Sequence, residues 1–379
     1  MNNGDLSVLI IDGESEFSLH VLRCLAQVPR LKVHVLSNAP WAKTRFSRHR
    51  ASFHLHDHAG NDDGYLETIG RVAKRVNADV ILPVDQPGIR FAADHRLLLE
   101  KFAAITSVPQ LDVFDIAVDK WLLTDFMQKQ RIPTPQTILY TAATELGQQL
   151  DALTFPVLIK PTHGGSGRGI QQFNDRTSLG RFLEKEREDT CSYIIQDQVQ
   201  GYDIDCSVLC QDGEILAYTI QKGIIMNPDR FLPPLAIKFL WHEEVLRVMS
   251  KLLAALKWNG VAHVDLVMDE KDHHAKVIDF NARYWGSLLG SLAAGVNFPH
   301  IACLAAINKP LPSAEYRHIR YISPSAVRQV RAQKSLANGV PEFRFSETGW
   351  RYMLADPMPA TIEKLSSSWR KLWKIEGQR

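Results

Sequence analysis

VAHVDLVMDEKDHHAKVIDFN, residues 261–281, carries the strongest structural signal in the chain. Two runs that alternate apolar and polar residues, Val261–Met268 and Ala275–Asn281, flank the polar turn Asp269–His274. That pattern predicts an antiparallel hairpin. With the turn centred near Asp272, Asp265 falls opposite Asp279 and His263 opposite Asn281. Period-2 alternation then puts all four side chains on one face. Directly opposed residues have Cβ atoms about 5 Å apart, where like charges repel. Two carboxylates held so close call for a cation or a shared proton. Their oxygens, with an amide, suit Mg²⁺. A solvated polar face is the plainer reading, and a one-residue slip in register would separate the four groups.

About a hundred residues upstream stands FPVLIKPTHGGSGRG, residues 155–169. Phe155–Pro161 reads as a strand ending in Lys160, and His163–Gly169 as a glycine-rich loop before a return strand at Ile170–Phe173. Gly164, Gly165, Gly167 and Gly169 let backbone N–H groups approach phosphate oxygens, and the ammonium of Lys160 neutralises charge. No Gly-Lys-Ser/Thr follows, so this is not a Walker A loop. Nor is it the kinase arrangement, in which the glycine loop precedes its lysine. Without Lys160, a hairpin tip would explain the glycines equally well. Between the two constellations lies Tyr193-Ile-Ile-Gln196-Asp197-Gln198-Val199, followed by Gly201-Tyr202-Asp203. A strand leaving its sheet there offers backbone groups to an adenine edge, and an acid a few residues on can accept from ribose hydroxyls.

Toward the N-terminus, apolar strands alternate with helical patterns: strands at Ser7–Ile11, Leu31–Leu36 and Asp79–Pro83, helices at Phe17–Ala26 and Tyr65–Val76. This is the βαβ order of an open, parallel-type sheet. The first turn, Asp12-Gly13-Glu14-Ser15, lacks the glycine spacing of a dinucleotide fingerprint. The basic stretch Arg45–Arg50 reads as a solvated loop. One helix over 116–131 carries Lys120 and ends at Ile132-Pro133-Thr134-Pro135. A helix is expected at Glu145–Leu153 and another at 177–188. Strands at 202–210 and 214–221, a proline-containing loop from Gly223 to Phe239 and a helix at Glu243–Trp258 lead to the hairpin.

The 379 residues allow two or three domains and a large core. With 44 Lys/Arg against 42 Asp/Glu, a net +2, the chain has no overall field for gripping nucleic acid. No apolar run approaches a membrane span, and Val8–Ile11 is too short for a signal peptide. Five scattered cysteines read as reduced core thiols in the cytoplasm. From Leu311 onward twelve Lys/Arg stand against six Asp/Glu, with Trp350, Trp369 and Trp373. A basic amphipathic helix is expected at Thr361–Ile375, packing on its own core or on a second copy in a homodimer rather than on a membrane.

Taken in order, these pieces resemble the ATP-grasp superfamily, over roughly residues 5–305. The likeness is strongest at Asp119-Lys120, Phe155–Gly169, Ile195–Asp203 and Gly260–Ser287. It implies a mixed α/β and α+β chain. An N-terminal open-sheet domain (1–115) would precede a two-lobed ATP-grasp fold (116–196 and 197–310) and a C-terminal extension (311–379). It further implies that Lys120 and Lys160 contact phosphates, under a loop that includes Gly164, Gly165, Ser166, Gly167 and Gly169. Gln196, Asp197 and Val199 would meet adenine and Asp203 the ribose. Asp265, Asp279 and Asn281 would hold one or two Mg²⁺ ions, with Mn²⁺ as the alternative. Arg283, after Asn281-Ala282, would stabilise the transferring phosphoryl group and an acyl-phosphate. Asp279 stands where the family has glutamate, Ala282 where it has proline, and Gln196 where many relatives have glutamate.

The implied activity is a ligase that phosphorylates a small-molecule carboxylate with ATP and passes the acyl group to an amine. Alternatives are a thiol or hydroxyl acceptor, a small-molecule kinase, and a non-catalytic ATP-binding regulator. His263 and Lys222, with Arg283, are the candidates for touching substrate. For His263 a single structural hydrogen bond is an equal reading.

Overall fold

The computed structural model describes residues 6–57, 60–141, 147–165, 167–185, 192–229, 231–313, 315–324, 326–327, 329–330 and 343–362. Contacts divide the chain into two compact units, 1–109 with 283–379, and 110–282.

The first unit is built on strands β1 (Leu6–Ile10), β2 (Leu31–Ser37), β3 (Arg50–Leu55), β4 (Val80–Leu82) and β5 (Ala104–Ile105). They form a sheet in the order β3-β2-β1-β4-β5, and each described pair is parallel. β3 begins at Arg50, the last residue of the stretch read as a basic loop; its residues are half-exposed or exposed, without the buried run that marks β1. Val8, Leu9 and Ile10 of β1, with Ile11 just after it, are wholly buried, as expected of a strand covered on both faces. Beyond β1 the Asp12 carboxylate accepts from the amides of Val84 (3.0 Å) and Asp85 (2.7 Å). It thereby stitches together two strand ends at the sheet's reversal of order. Burial pushes this carboxyl up to about 7, against the pull of those two amide donors.

The chain returns to the first unit at Arg283. Helices Leu288–Ala294 and Phe298–Ala306 are almost entirely apolar, and Asn297 Nδ2 donates to Cys24 O in the first helix at 2.8 Å. Farther on, the wholly buried Asp356 accepts from Arg23 Nε (3.2 Å), Ser47 Oγ (2.9 Å) and the Arg48 amide (2.9 Å). This anchors the described part of the C-terminal region to the first helix and to the turn after Phe46. The expected helix at Thr361–Ile375 lies, beyond residue 362, outside the described residues.

The second unit holds two antiparallel sheets. One comprises β6 (Thr137–Tyr140), β7 (Val157–Pro161), β8 (Gln171–Phe173) and β9 (Tyr193–Asp197), in the order β6-β9-β7-β8. The other contains β10 (Gly201–Gln211), β11 (Glu214–Ile225), β12 (Ala236–Phe239), β13 (Gly260–Asp269) and β14 (Ala275–Asn281), with consecutive neighbours β14-β13-β10-β11-β12. The proline-containing loop is therefore shorter than its sequence suggests, since β11 reaches Ile225 and β12 begins at Ala236. The single helix expected at 116–131 is two, Leu111–Val118 and Lys120–Lys129. Asp119 between them is extended and caps the second helix by accepting from the amides of Trp121 and Leu122, both at 2.8 Å. Residues 147–152 form a 3₁₀ turn rather than the end of an α-helix. Four cysteines, 24, 206, 210 and 303, are buried free thiols. Among the described residues no single helix is long and apolar enough to cross a membrane.

Asp356→Ala would leave the Arg23 guanidinium buried without its anion, at a cost of about 3–5 kcal/mol. Urea denaturation should report a loss of that size. The double replacement Arg23→Met with Asp356→Leu should recover most of it, because neither charge is then stranded.

Candidate active site

The hairpin forms, and His263 pairs with Asn281 and Asp265 with Asp279. The route to that pairing differs from a plain hairpin. Next to the turn Leu266 faces Val277, so an unbroken ladder would set Asp265 against Ile278. A bulge at Ile278 adds one residue and restores the opposition of the two acids. Val264 and Phe280 are buried on the opposite face, which fixes the side that His263, Asp265, Asp279 and Asn281 occupy. On the other flank of β13, Asp205 of β10 lies opposite Asp265 and Ser207 opposite His263. Gln221 of β11 lies opposite Asp205. Three carboxylates thus stand in one row across β14, β13 and β10.

Lys160 is the penultimate residue of β7, with its side chain buried. Its Nζ donates to Gln196 Oε1 on neighbouring β9 at 2.8 Å. Gln196 in turn donates to Thr137 Oγ1 on β6 at 2.9 Å. Burial lowers the Lys160 amine from its ordinary 10.5 to about 8. The carboxylates of Asp279, Asp265 and Asp203 oppose that fall, and the charge of Lys120 adds to it. The strand lysine and the acidic row therefore lie within electrostatic reach of each other inside one unit.

Lys120, at the first position of its helix, is also buried. Its Nζ donates to Gly164 O at 2.9 Å and forms an ion pair with Asp279 Oδ1 at 3.1 Å. Its amide donates to Thr162 O at 2.9 Å. One residue thus ties the glycine loop to the acidic hairpin. In the loop Gly164 has φ +121° and Gly167 φ +71°, both left-handed-side values that favour glycine. A Cβ on Gly167 would also meet Phe231 O at 2.3 Å. Gly165 and Gly169 belong to the same loop, while Ser166 lies outside the described residues.

At the end of β9 the Asp197 amide donates to Gln136 O (2.9 Å) and the Gln198 amide to Pro156 O (3.0 Å). The Asp197 carboxylate accepts from the Thr154 amide at 2.8 Å, and burial raises it. Val199 follows in the stretch that links β9 to β10. Asp203 is exposed on β10. Lys222 on β11 lies over the Tyr202 ring, 3.3 Å from its centroid. His263 Nδ1 lies 2.9 Å from Ser207 Oγ. Its Nε2 lies 3.5 Å from Asp265 Oδ1 and 4.0 Å from Asp205 Oδ2. Arg283 belongs to the first unit, where its guanidinium stacks on Phe17 (4.3 Å), Nη1 donates to Tyr284 O (2.8 Å) and Nε lies 3.8 Å from Asp85 Oδ1.

Asp205 was not among the residues singled out by sequence. Burial, aided by the charge of Asp203, pushes its carboxyl up to about 7, against a hydrogen bond from Gln221. The signal was available in Asp203-Ile-Asp205-Cys-Ser207, whose alternation sets three polar residues on one face. The oxygens of Asp265, Asp279 and Asn281 are hard donors of the kind Mg²⁺ takes from a protein while keeping waters and phosphate. With two lysines beside them, the set fits a magnesium–polyphosphate.

Residues 117–287 match the family model of the ATP-grasp domain. This chain carries an ATP-grasp domain. By sequence the chain is 27% identical over 171 residues to D-alanine--D-alanine ligase of Hydrogenovibrio crunogenus, covering 41% of this chain and 53% of that one. It is 24% identical over 206 residues to the carbamoyl phosphate synthase large chain of Corynebacterium glutamicum, covering 52% and 18%. The chain thus spans about half or less of the length of these relatives. In fold it resembles the L-amino acid ligase of Bacillus licheniformis, with a TM-score of 0.62, 16% identity and coverage of 84% and 79%. It also resembles N5-carboxyaminoimidazole synthetase of Staphylococcus aureus complexed with ADP, with a TM-score of 0.64, 16% identity and coverage of 82% and 80%. These likenesses in fold extend well beyond the matched domain, over 84% and 82% of this chain.

A phosphate held at Lys160 needs the ammonium form, which this lysine loses near pH 8. MgATP affinity, measured by calorimetry from pH 6.5 to 9.5, should be flat below about 7.5. Above pH 8 it should fall by up to about tenfold per pH unit. The sign for folding is opposite. The unfolded chain keeps this proton up to 10.5, so the group's contribution to nucleotide-free stability rises between pH 8 and 10.5. Lys160→Met should abolish the nucleotide-induced rise in Tm while leaving the nucleotide-free Tm within a few degrees of the parent.

Proposed function

We propose that the protein is an ATP-dependent ligase that activates a small-molecule carboxylate as an acyl-phosphate and transfers it to an amine, releasing ADP and phosphate. The observation that carries this reading is the gathering of Lys120, Lys160, Asp265, Asp279 and Asn281 in one unit, with Lys120 joined to both the glycine loop and Asp279. Names among the relatives and structural neighbours support carboxyl–amine joining. The substrates themselves belong to the proposal.

In this reading residues 116–196 and 197–310 act as the two lobes that enclose ATP. Val199 and its neighbours meet the base, and Asp203 the ribose. A substrate carboxylate oxygen attacks the γ-phosphorus, the bond to the β-γ bridging oxygen breaks, and ADP leaves. Lys120 and Lys160 meet the charge that spreads over the phosphate oxygens in that step. Mg²⁺, held by Asp265, Asp279 and Asn281, would supply charge neutralisation of the polyphosphate. Arg283 is assigned to the transferring phosphoryl group. The glycine loop covers the intermediate and keeps water from hydrolysing it. The amine then attacks the acyl carbon, phosphate departs, and the amine proton passes to solvent or to a base at the site. Lys222 and His263 are assigned to the substrates. The buried free thiols support a reducing, cytoplasmic setting.

Incubation with ATP, Mg²⁺, hydroxylamine and a panel of carboxylates should yield a hydroxamate together with ADP. Lys160→Ala and Asp279→Ala should each lower ADP release by about 100-fold or more with unchanged circular dichroism. A stable phosphorylated product would make the protein a kinase instead. ATP binding without turnover across carboxylates crossed with amines, thiols and alcohols would make it a regulator.

A further inference from the structure

Asp205, His263 and Asp265 form a group that the ligase reading does not use as a unit. Among the described residues they are the one set of three His, Cys, Asp or Glu side chains whose donor atoms all lie within 4.8 Å of one another. We propose that these three residues are a divalent-cation site in their own right, taking a zinc-, cobalt- or nickel-type ion through the imidazole, with Asp265 shared between it and the nucleotide's magnesium position.

The distances approach those between ligands of one ion. His263 Nε2 lies 3.5 Å from Asp265 Oδ1 and 4.0 Å from Asp205 Oδ2. Donor atoms on a common tetrahedral ion with bonds of about 2.1 Å sit about 3.4 Å apart. A small closure of the three side chains reaches that spacing.

Each donor is also aimed from behind by a neighbouring strand. Ser207 Oγ, on a wholly buried serine, lies 2.9 Å from His263 Nδ1. An imidazole whose Nδ1–H donates there presents the Nε2 lone pair to the two acids. Buried Gln221 donates to Asp205 Oδ2 at 3.0 Å, and Asn281 Nδ2 approaches Asp265 Oδ2 at 3.4 Å. Outer partners of this kind fix tautomer and orientation at metal centres. All six residues sit in paired register positions of one sheet, so their spacing is set by the ladder rather than by loops.

The donor set also separates this site from the magnesium position. Mg²⁺ takes oxygen ligands and waters, and a ring nitrogen is foreign to it. An imidazole beside two carboxylates favours zinc and its transition-metal neighbours. Asp279 lies outside the group and forms its ion pair with Lys120.

The test is a Co²⁺ titration of the tag-free, nucleotide-free full chain, followed by visible d–d absorption. One Co²⁺ per chain should bind, and Zn²⁺ should displace it while millimolar Mg²⁺ does not. Asp205→Asn and His263→Ala should each weaken Co²⁺ by about 100-fold or more, Ser207→Ala by about tenfold, and Asp279→Asn by less than about twofold. His263→Gln, which keeps the side-chain volume, replaces the alanine variant should that one fail to fold. No d–d band in the parent would overturn the proposal. So would affinities unchanged in folded Asp205→Asn and His263→Gln, or displacement by Mg²⁺ as readily as by Zn²⁺. No nucleotide or turnover enters the titration, so its failure leaves the ligase reading untouched.

Discussion

Three carboxylates occupy directly opposed positions across β14, β13 and β10, in the order Asp279, Asp265, Asp205. Like charges so placed repel, and a cation over the row or a shared proton relieves that repulsion. Lys120 answers Asp279 directly at 3.1 Å. The field of the row reaches Lys160 and keeps its amine from losing its proton more readily still. The acids cannot escape by slipping register, because the alternate residues Cys206, Val208, Val264 and Phe280 are buried on the other face. A row of acids that attracts cations is therefore built into the core packing of the second unit.

The two lysines do not simply cancel the acids. Lys160 is buried, and its lowered proton affinity corresponds to roughly 3 kcal/mol against the charged form. Its bond to Gln196, itself held by Thr137, offsets part of that cost. A lysine in this condition gains more from an arriving phosphate than an exposed one would, because burial has already stripped its water. Lys120 couples the same electrostatics to the glycine loop through Gly164 O. Charge neutralisation and loop position are thus linked through a single side chain.

The first unit shows the opposite use of a buried acid. Asp12 satisfies its carboxylate with the amides that follow β4. Asp356 does so with Arg23, Ser47 and the Arg48 amide. Both acids find their partners within the fold and act as staples.

Local pattern alone determined a good deal. Alternation in 261–281 named the strands, and the placement of His263, Asp265, Asp279 and Asn281 on one face followed from period and turn position. The glycine spacing of 164–169 and the strand around Lys160 were equally legible, because each depends only on nearby residues. Tertiary structure decided the rest. The acids face each other only because a bulge at Ile278 corrects a register that the turn alone sets one residue off. The break at Asp119 depends on its carboxylate capping the next helix, and β3 exists because β2 offers it an edge. Asp205 gained its place beside His263 and Asp265 through the pairing of β10 with β13, which sets it against Asp265, sixty positions on. Periodicity says which face a side chain takes. Which distant strand lies alongside is settled by burial of the opposite face, and that is a property of the assembled sheet.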